Sequence, residues 1–151
     1  MPKRLALLLV VALTFVACYG DEEEPAFPFA TVLLDNGDET TLLTVEVAET
    51  DEQHELGLSG RDSLEEDRGM VFVFFEERQT GFWMKDTEIP LSIAFFDDEG
   101  TIVDILDMKP CEKDPCKHYV PDAPYMGALE VNQGSFEDWD VSEGDKVRLT
   151  R

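Results

Sequence analysis

Runs of apolar residues and short alternating segments predict that most of this chain forms β-strands. Residues 30–35 and 40–48 read as two strands joined by Asn36-Gly37-Asp38, a turn of the type that closes hairpins. Residues 69–75 are almost continuously apolar, which favours a central strand buried on both faces. The first half of the chain therefore predicts a hairpin followed by a core strand.

The second half of the chain predicts another hairpin and two later strands. Residues 91–97 are rich in strand formers, and a turn ending at Gly100 leads into a returning strand over residues 101–108. Residues 125–134 and 146–150 complete the predicted strands. We therefore expect a second hairpin, in which the two strands run antiparallel.

Two short helices are predicted between these strands. Residues 49–58 follow a helical pattern with Thr50 as the N-cap, and glycines at its end limit its length. Residues 134–139 predict a single helical turn with Ser135 as its cap.

Three consecutive apolar residues, Phe82, Trp83 and Met84, stand out between polar segments. Neighbours on a strand point in opposite directions, so such a triplet favours a strand with both faces covered. The pattern places Trp83 in or beside the core. Residues 85–88 are polar and predict a tight loop before the strand that begins at Leu91.

The N-terminus has the pattern of an export signal. A short basic segment precedes twelve apolar residues, Leu5 to Val16, whereas a membrane-spanning helix needs about 20. The run ends in Phe15-Val16-Ala17-Cys18, which is similar to a bacterial lipobox, although Phe15 stands where leucine is usual. We expect residues 1–17 to be a signal peptide and Cys18 to be lipidated, placing the protein outside the cytoplasm on a membrane. The alternative is ordinary cleavage nearby, without a lipid.

An acidic tether follows the predicted signal. Residues 18–28 contain a run of four acids and two prolines, a composition that does not pack. The remaining residues, 29–151, are long enough for one domain, and the whole chain is 43% hydrophobic.

The charge of the chain excludes one class of partner. The formal net charge is −22, from 34 acidic and 12 basic residues. Such a surface repels nucleic-acid phosphates, so we expect no nucleic-acid partner. Solvated acidic side chains that keep the protein soluble explain the excess.

Several motifs resemble those of a secreted family, the domain of unknown function 192. The similar segments are residues 57–61, 69–75, 81–97, 110–119 and 125–134. Ser59 replaces the methionine of the family pattern, and His54 stands where the family often has arginine. The resemblance implies an α+β, β-rich single domain with an antiparallel, partly open barrel-like sheet and one or two short helices. It brings no agreed activity with it.

The two cysteines of the C-terminal half are spaced as C-x4-C. Outside the cytoplasm, Cys111 and Cys116 favour a disulfide, with Asp114-Pro115 turning the chain between them. A metal site that includes His118, and a redox-active pair, are the alternatives. The spacing fits neither a C-x-x-C redox motif nor a paired zinc knuckle. We therefore predict a disulfide, no metal and no cofactor.

A ligand-binding cleft around the apolar triplet is the predicted site. Trp83 would supply an aromatic platform, Lys85 a cation, Thr87 a hydroxyl and Glu130 a carboxylate from a neighbouring strand. Glu130 lies between two apolar residues, so the strand alternation alone would turn it outward to water.

Three functions are compatible with these residues. The preferred hypothesis is a cell-envelope accessory module that binds a small molecule, a glycan or an envelope protein. The second is a hydrolase that uses Glu130 and Lys85 in general acid–base chemistry, although no hydrolase, zinc-protease or nucleotide-binding motif occurs and no catalytic residue is assigned. The third is a purely structural or interaction domain.

Overall fold

A computed structural model describes residues 25–150 of the chain. The predicted signal peptide, Cys18 and the acidic run of the tether lie outside these residues. Among residues 25–150, no helix is both long and apolar enough to cross a membrane.

Nine strands and two short helices make up the described part of the chain. Their bounds are β1 Phe29–Asp35, β2 Thr40–Ala48, α1 Asp51–Leu56, β3 Arg68–Arg78, β4 Phe82–Trp83, β5 Leu91–Phe96, β6 Ile102–Met108, β7 His118–Tyr119, β8 Tyr125–Asn132, α2 Ser135–Asp138 and β9 Lys146–Thr150.

Seven of the strands form one curled sheet in the order β6-β5-β8-β3-β2-β1-β9. The β2–β3 pair is parallel, and α1 lies in the connection between these two strands. The other neighbouring pairs are antiparallel. The two edges meet where Thr101 bridges to Lys146 and the Val147 amide donates to the Gly100 carbonyl at 2.8 Å. The expected β-rich, partly open barrel is confirmed.

Both faces of the central strands are buried. On β3, Val71 packs into one apolar cluster together with β1, β2, β9 and α2, whereas Met70 and Phe72 pack into a second. Strand β5 divides in the same way, with Ala94 in the first cluster and Ile93 in the second. Because side chains alternate along a strand, two layers of structure cover the sheet, and the second cluster lies beneath the α1 and β4 segments.

The N-terminus of α1 has the predicted cap. The Gln53 amide donates to the Thr50 hydroxyl, while the Gln53 side chain accepts from the Thr50 amide, which completes a capping box. The Gln53 side-chain amide also donates to the Ala26 carbonyl at 2.7 Å and so ties the entering chain to the helix.

The predicted cap of α2 is wrong. Gly134 is the N-cap, and no side chain caps this helix. Gly134 has a φ of +87°, in the left-handed region that favours glycine, and its amide donates to the Ser92 hydroxyl at 2.9 Å. Ser135 is instead the first residue of the helical turn.

The apolar triplet does not form a strand covered on both faces. Strand β4 has two residues and pairs only with β7, as a ribbon outside the main sheet. Met84 is buried, but the Trp83 side chain is 45% exposed. The prediction of a doubly covered strand is therefore wrong, because one face of this ribbon is open to solvent.

Candidate functional site

A small cavity lies between the second face of the sheet and the α1 and β4 segments. Its volume is about 30 Å³, close to the space of a single water molecule. The lining residues on the α1 side are His54 to Ser59, and those on the strands and the β4 loop are Phe72, Phe82, Trp83, Met84, Thr87, Leu91 and Glu130. Apolar and aromatic side chains, together with the polar residues His54, Glu55, Ser59 and Thr87, thus surround a single buried carboxyl group.

Strand β8 positions the carboxyl group of Glu130. Glu130 lies opposite Met70 of β3 and Ile93 of β5, two residues of the second apolar cluster. Directly opposed residues share one face of a sheet, so Glu130 points into this covered layer. The expectation that strand alternation turns Glu130 outward to water is wrong: the residue is 5% exposed.

The Glu130 carboxyl group has no hydrogen-bond or ion-pair partner among residues 25–150. Because neither carboxyl oxygen has a hydrogen-bond partner within this part of the chain, both oxygens must remain accessible rather than fully buried. The group therefore opens into the cavity that it lines. Burial raises the pKa of Glu130 from 4.5 to about 8, because removal from water disfavours the charged form. The group is therefore mostly a neutral carboxylic acid at pH 7.

The loop after β4 holds Thr87 at the cavity wall. Thr87 is buried, and its hydroxyl donates to the Lys85 carbonyl at 3.3 Å. The Ser59 hydroxyl donates to the same carbonyl at 3.2 Å, and the Gly60 amide donates to the Asp86 carbonyl at 2.8 Å. These bonds fix the loop against the segment that follows α1.

Trp83 lies at the rim of the cavity, with two basic side chains beside it. The Lys85 ammonium lies 5.5 Å from the centre of the indole, and the His118 ring lies 5.7 Å from it on the paired strand β7. Lys85 itself is exposed and does not line the cavity. The structure thus brings together Trp83, Thr87 and Glu130 of the predicted set, with Lys85 outside.

His54, which stands where the family often has arginine, also lines the cavity, although the sequence did not predict it there. A carbonyl can only accept, so the ring Nε2–H donates to Ala48 at 3.0 Å. The ring packs on Phe74 with centroids 4.6 Å apart. The signal that could have found His54 is the cap at Thr50, which fixes where each side chain of this short helix lies.

Comparison with known proteins places this arrangement in a family. Residues 32–149 match the profile of DUF192, which is described as an uncharacterized ACR. The chain belongs to the DUF192 family. No protein with a curated description matches it.

The solved structures that resemble this DUF192 chain include the following two proteins. A protein from Sinorhizobium meliloti 1021, described as a "putative transcription regulator", has 33% identity and a TM-score of 0.75, covering 83% of this chain and 97% of its own. A protein of unknown function from Novosphingobium aromaticivorans DSM 12444 has 26% identity and a TM-score of 0.74, covering 80% of this chain and 84% of its own. Both share the fold of the DUF192 domain.

The predicted disulfide is present in the DUF192 domain. Cys111 and Cys116 are bonded to each other and close a loop between β6 and β7. Asp114 lies close to both sulfur atoms. Because the two sulfurs are joined, neither is a free thiolate for the alternative site with His118.

Proposed function

We propose that this DUF192 domain is an exported, membrane-anchored binding module that receives the ammonium group of a small organic ligand in the Glu130 cavity. One observation carries the proposal: a buried carboxyl group without a partner among residues 25–150 opens into a cavity lined by both apolar and polar side chains. Burial of an ionisable group without a partner destabilises a fold. Ionisable groups whose pKa is strongly shifted are concentrated at functional sites.

The shape and lining of the cavity favour an ammonium group over a larger polar group. A volume of about 30 Å³ admits one small group, so the rest of the ligand would lie across the exposed Trp83 ring at the rim. A cation is attracted to aromatic rings, and Phe72 and Phe82 line the cavity, while Trp83 at the rim already has the Lys85 ammonium 5.5 Å from its ring centre. The ligand's N–H groups would donate to the Glu130 carboxylate, which has no donor among residues 25–150.

The charge of the whole chain supports a cationic ligand. With a net charge of −22, the protein attracts cations and raises their concentration near its surface. The same charge disfavours nucleic acid as a partner.

Export and anchoring are proposed from the first residues of the sequence. The apolar run before Cys18 has the length of a signal peptide and not of a membrane span. A disulfide between Cys111 and Cys116 is compatible with an oxidising compartment outside the cytoplasm. Membrane partitioning of the expressed protein, lost in Cys18→Ser, would test the anchor.

Ligand binding can be tested through Trp83 fluorescence. Replacing the second tryptophan, in Trp139→Phe, leaves Trp83 as the reporter. The probes are primary alkylammonium ions from methylammonium to butylammonium, with alcohols of equal length as neutral controls. We expect saturable changes with the ammonium ions only.

Two further variants decide whether Glu130 is the receptor. Glu130→Gln should abolish saturation, because a neutral amide cannot pair with a cation. Glu137→Gln removes one carboxylate from the exposed side of α2 and should leave binding unchanged. Equal binding by Glu130→Gln and the parent protein, or no saturation with any ammonium ion, would overturn the proposal.

A further inference from the structure

A second cavity, larger than the first, opens beside the disulfide loop, residues 109–117. Its volume is about 340 Å³. The lining residues are Met84, Lys109, Pro110, Cys111, Glu112, Lys113, Pro115, Lys117 and Tyr119. Met84 also lines the Glu130 cavity, but the other residues are different. We call this second cavity the lysine groove.

Basic residues are concentrated here to a degree that is unusual for this chain. Three of the six lysines in the sequence, Lys109, Lys113 and Lys117, line the groove, although acids outnumber bases 34 to 12 overall. Among the described residues, none of these three ammonium groups has an ion-pair partner. Glu112 is the single carboxylate in the lining. Pairing with surface acids therefore does not account for the cluster.

The backbone that carries the lysines is held in place at both ends. The Cys111–Cys116 disulfide closes the loop around Lys113. The Lys109 amide donates to the Tyr119 hydroxyl at 2.9 Å, and this hydroxyl donates back to the Lys109 carbonyl at 3.4 Å. The Lys117 ammonium lies 4.3 Å from the centre of the Tyr119 ring. A fixed loop reduces the entropy that a ligand must overcome to order the site.

We propose that the lysine groove binds a phosphate group through Lys109, Lys113 and Lys117. Each ammonium offers three donors to an anion, and phosphate oxygens accept strong, charge-assisted hydrogen bonds from ammonium groups. The net charge of the protein repels anions in general, so a local site must supply the attraction. This site is independent of the ammonium-binding function, because none of its lysines lines the Glu130 cavity.

Calorimetric titration of the full chain with inorganic phosphate at low ionic strength tests the site. We expect saturable binding that weakens about tenfold in Lys113→Gln, the change expected for the loss of one charged hydrogen-bond donor. The triple change Lys109→Gln, Lys113→Gln and Lys117→Gln should abolish binding. These side chains are exposed, so the variants should keep the circular dichroism spectrum and melting temperature of the parent.

A matched control separates a site from a general charge effect. Arg148→Gln removes one exposed positive charge, which is paired with Asp35, from β9, outside the groove, and should leave phosphate affinity unchanged. Equal weakening in Arg148→Gln and Lys113→Gln would overturn the proposal, as would the absence of saturation.

Vesicles distinguish a free phosphate group from a membrane surface as the ligand. The same variants are mixed with phosphatidylglycerol and phosphatidylcholine vesicles. Binding to phosphatidylglycerol with no binding of inorganic phosphate would assign the lysines to the membrane and overturn the proposed small-anion site. Phosphate binding that competes with phosphatidylglycerol supports it, because both ligands then use the same groove.

Discussion

Replacing Glu130 by glutamine should change how the stability of the domain depends on pH. The pKa of Glu130 is 4.5 in the unfolded chain and about 8 in the folded domain. Between these values the unfolded chain releases the proton while the folded domain keeps it, so rising pH favours unfolding. The contribution of Glu130 to stability is thus fully present below pH 4.5 and is lost as the pH rises to about 8. Glutamine has no proton to release.

The size of this effect follows from the pKa difference. The full difference corresponds to about 5 kcal/mol, and the part lost between pH 4.5 and pH 7 is about 3 kcal/mol. Urea unfolding of the parent and of Glu130→Gln, at a series of pH values from acid to mildly alkaline, measures the difference directly. His54 and Glu55 also line the cavity, and both are present in each of the two proteins. Parallel stability curves for the two proteins would refute the assignment of a buried, unpaired acid.

Three more substitutions test the binding and structural roles assigned above. Trp83→Ala should keep the free energy of unfolding within about 1 kcal/mol of the parent, because Trp83 is 45% exposed. The same variant should lose ammonium binding. A globally unfolded variant in urea experiments would instead favour a structural role for Trp83. Gly100→Ala should destabilise the domain by about 3 kcal/mol, because the new methyl group would lie 2.2 Å from the Val147 carbonyl oxygen, where the barrel edges meet. An unchanged melting temperature would contradict this closure of the barrel. Replacing both Cys111 and Cys116 by serine should lower the free energy of unfolding by about 2 kcal/mol, because the short disulfide loop no longer restricts the unfolded chain. Urea unfolding measures this change, and an unchanged midpoint would contradict a formed disulfide.

The seven strands of the main sheet could be predicted because each carries its own local signal, whereas no strand was predicted at β7. Residues 40–48 form β2 over the predicted range, and the first strand begins at Phe29, one residue before the predicted start. Hairpin turns and apolar runs are patterns of a few consecutive residues, so the sequence alone is enough to predict the strands that they mark.

The cavity could be predicted only in part because it depends on what covers each face of the sheet. Alternation assigns Glu130 to the face opposite to Leu129, but it does not reveal that the α1 and β4 segments cover that second face. Trp83 could not be placed for the related reason that β4 pairs with β7 and not with the main sheet. The lysine groove depends on the path of the disulfide loop, which has no periodic pattern to interpret.

The most direct test of the ammonium-binding site is an NMR titration of the Glu130 side-chain carboxyl carbon with and without methylammonium. A cation held against the carboxyl group favours its charged form. We predict a pKa of about 8 in the free protein and a clearly lower pKa at saturating methylammonium. The same titration curve in both conditions would contradict an ammonium group bound at Glu130.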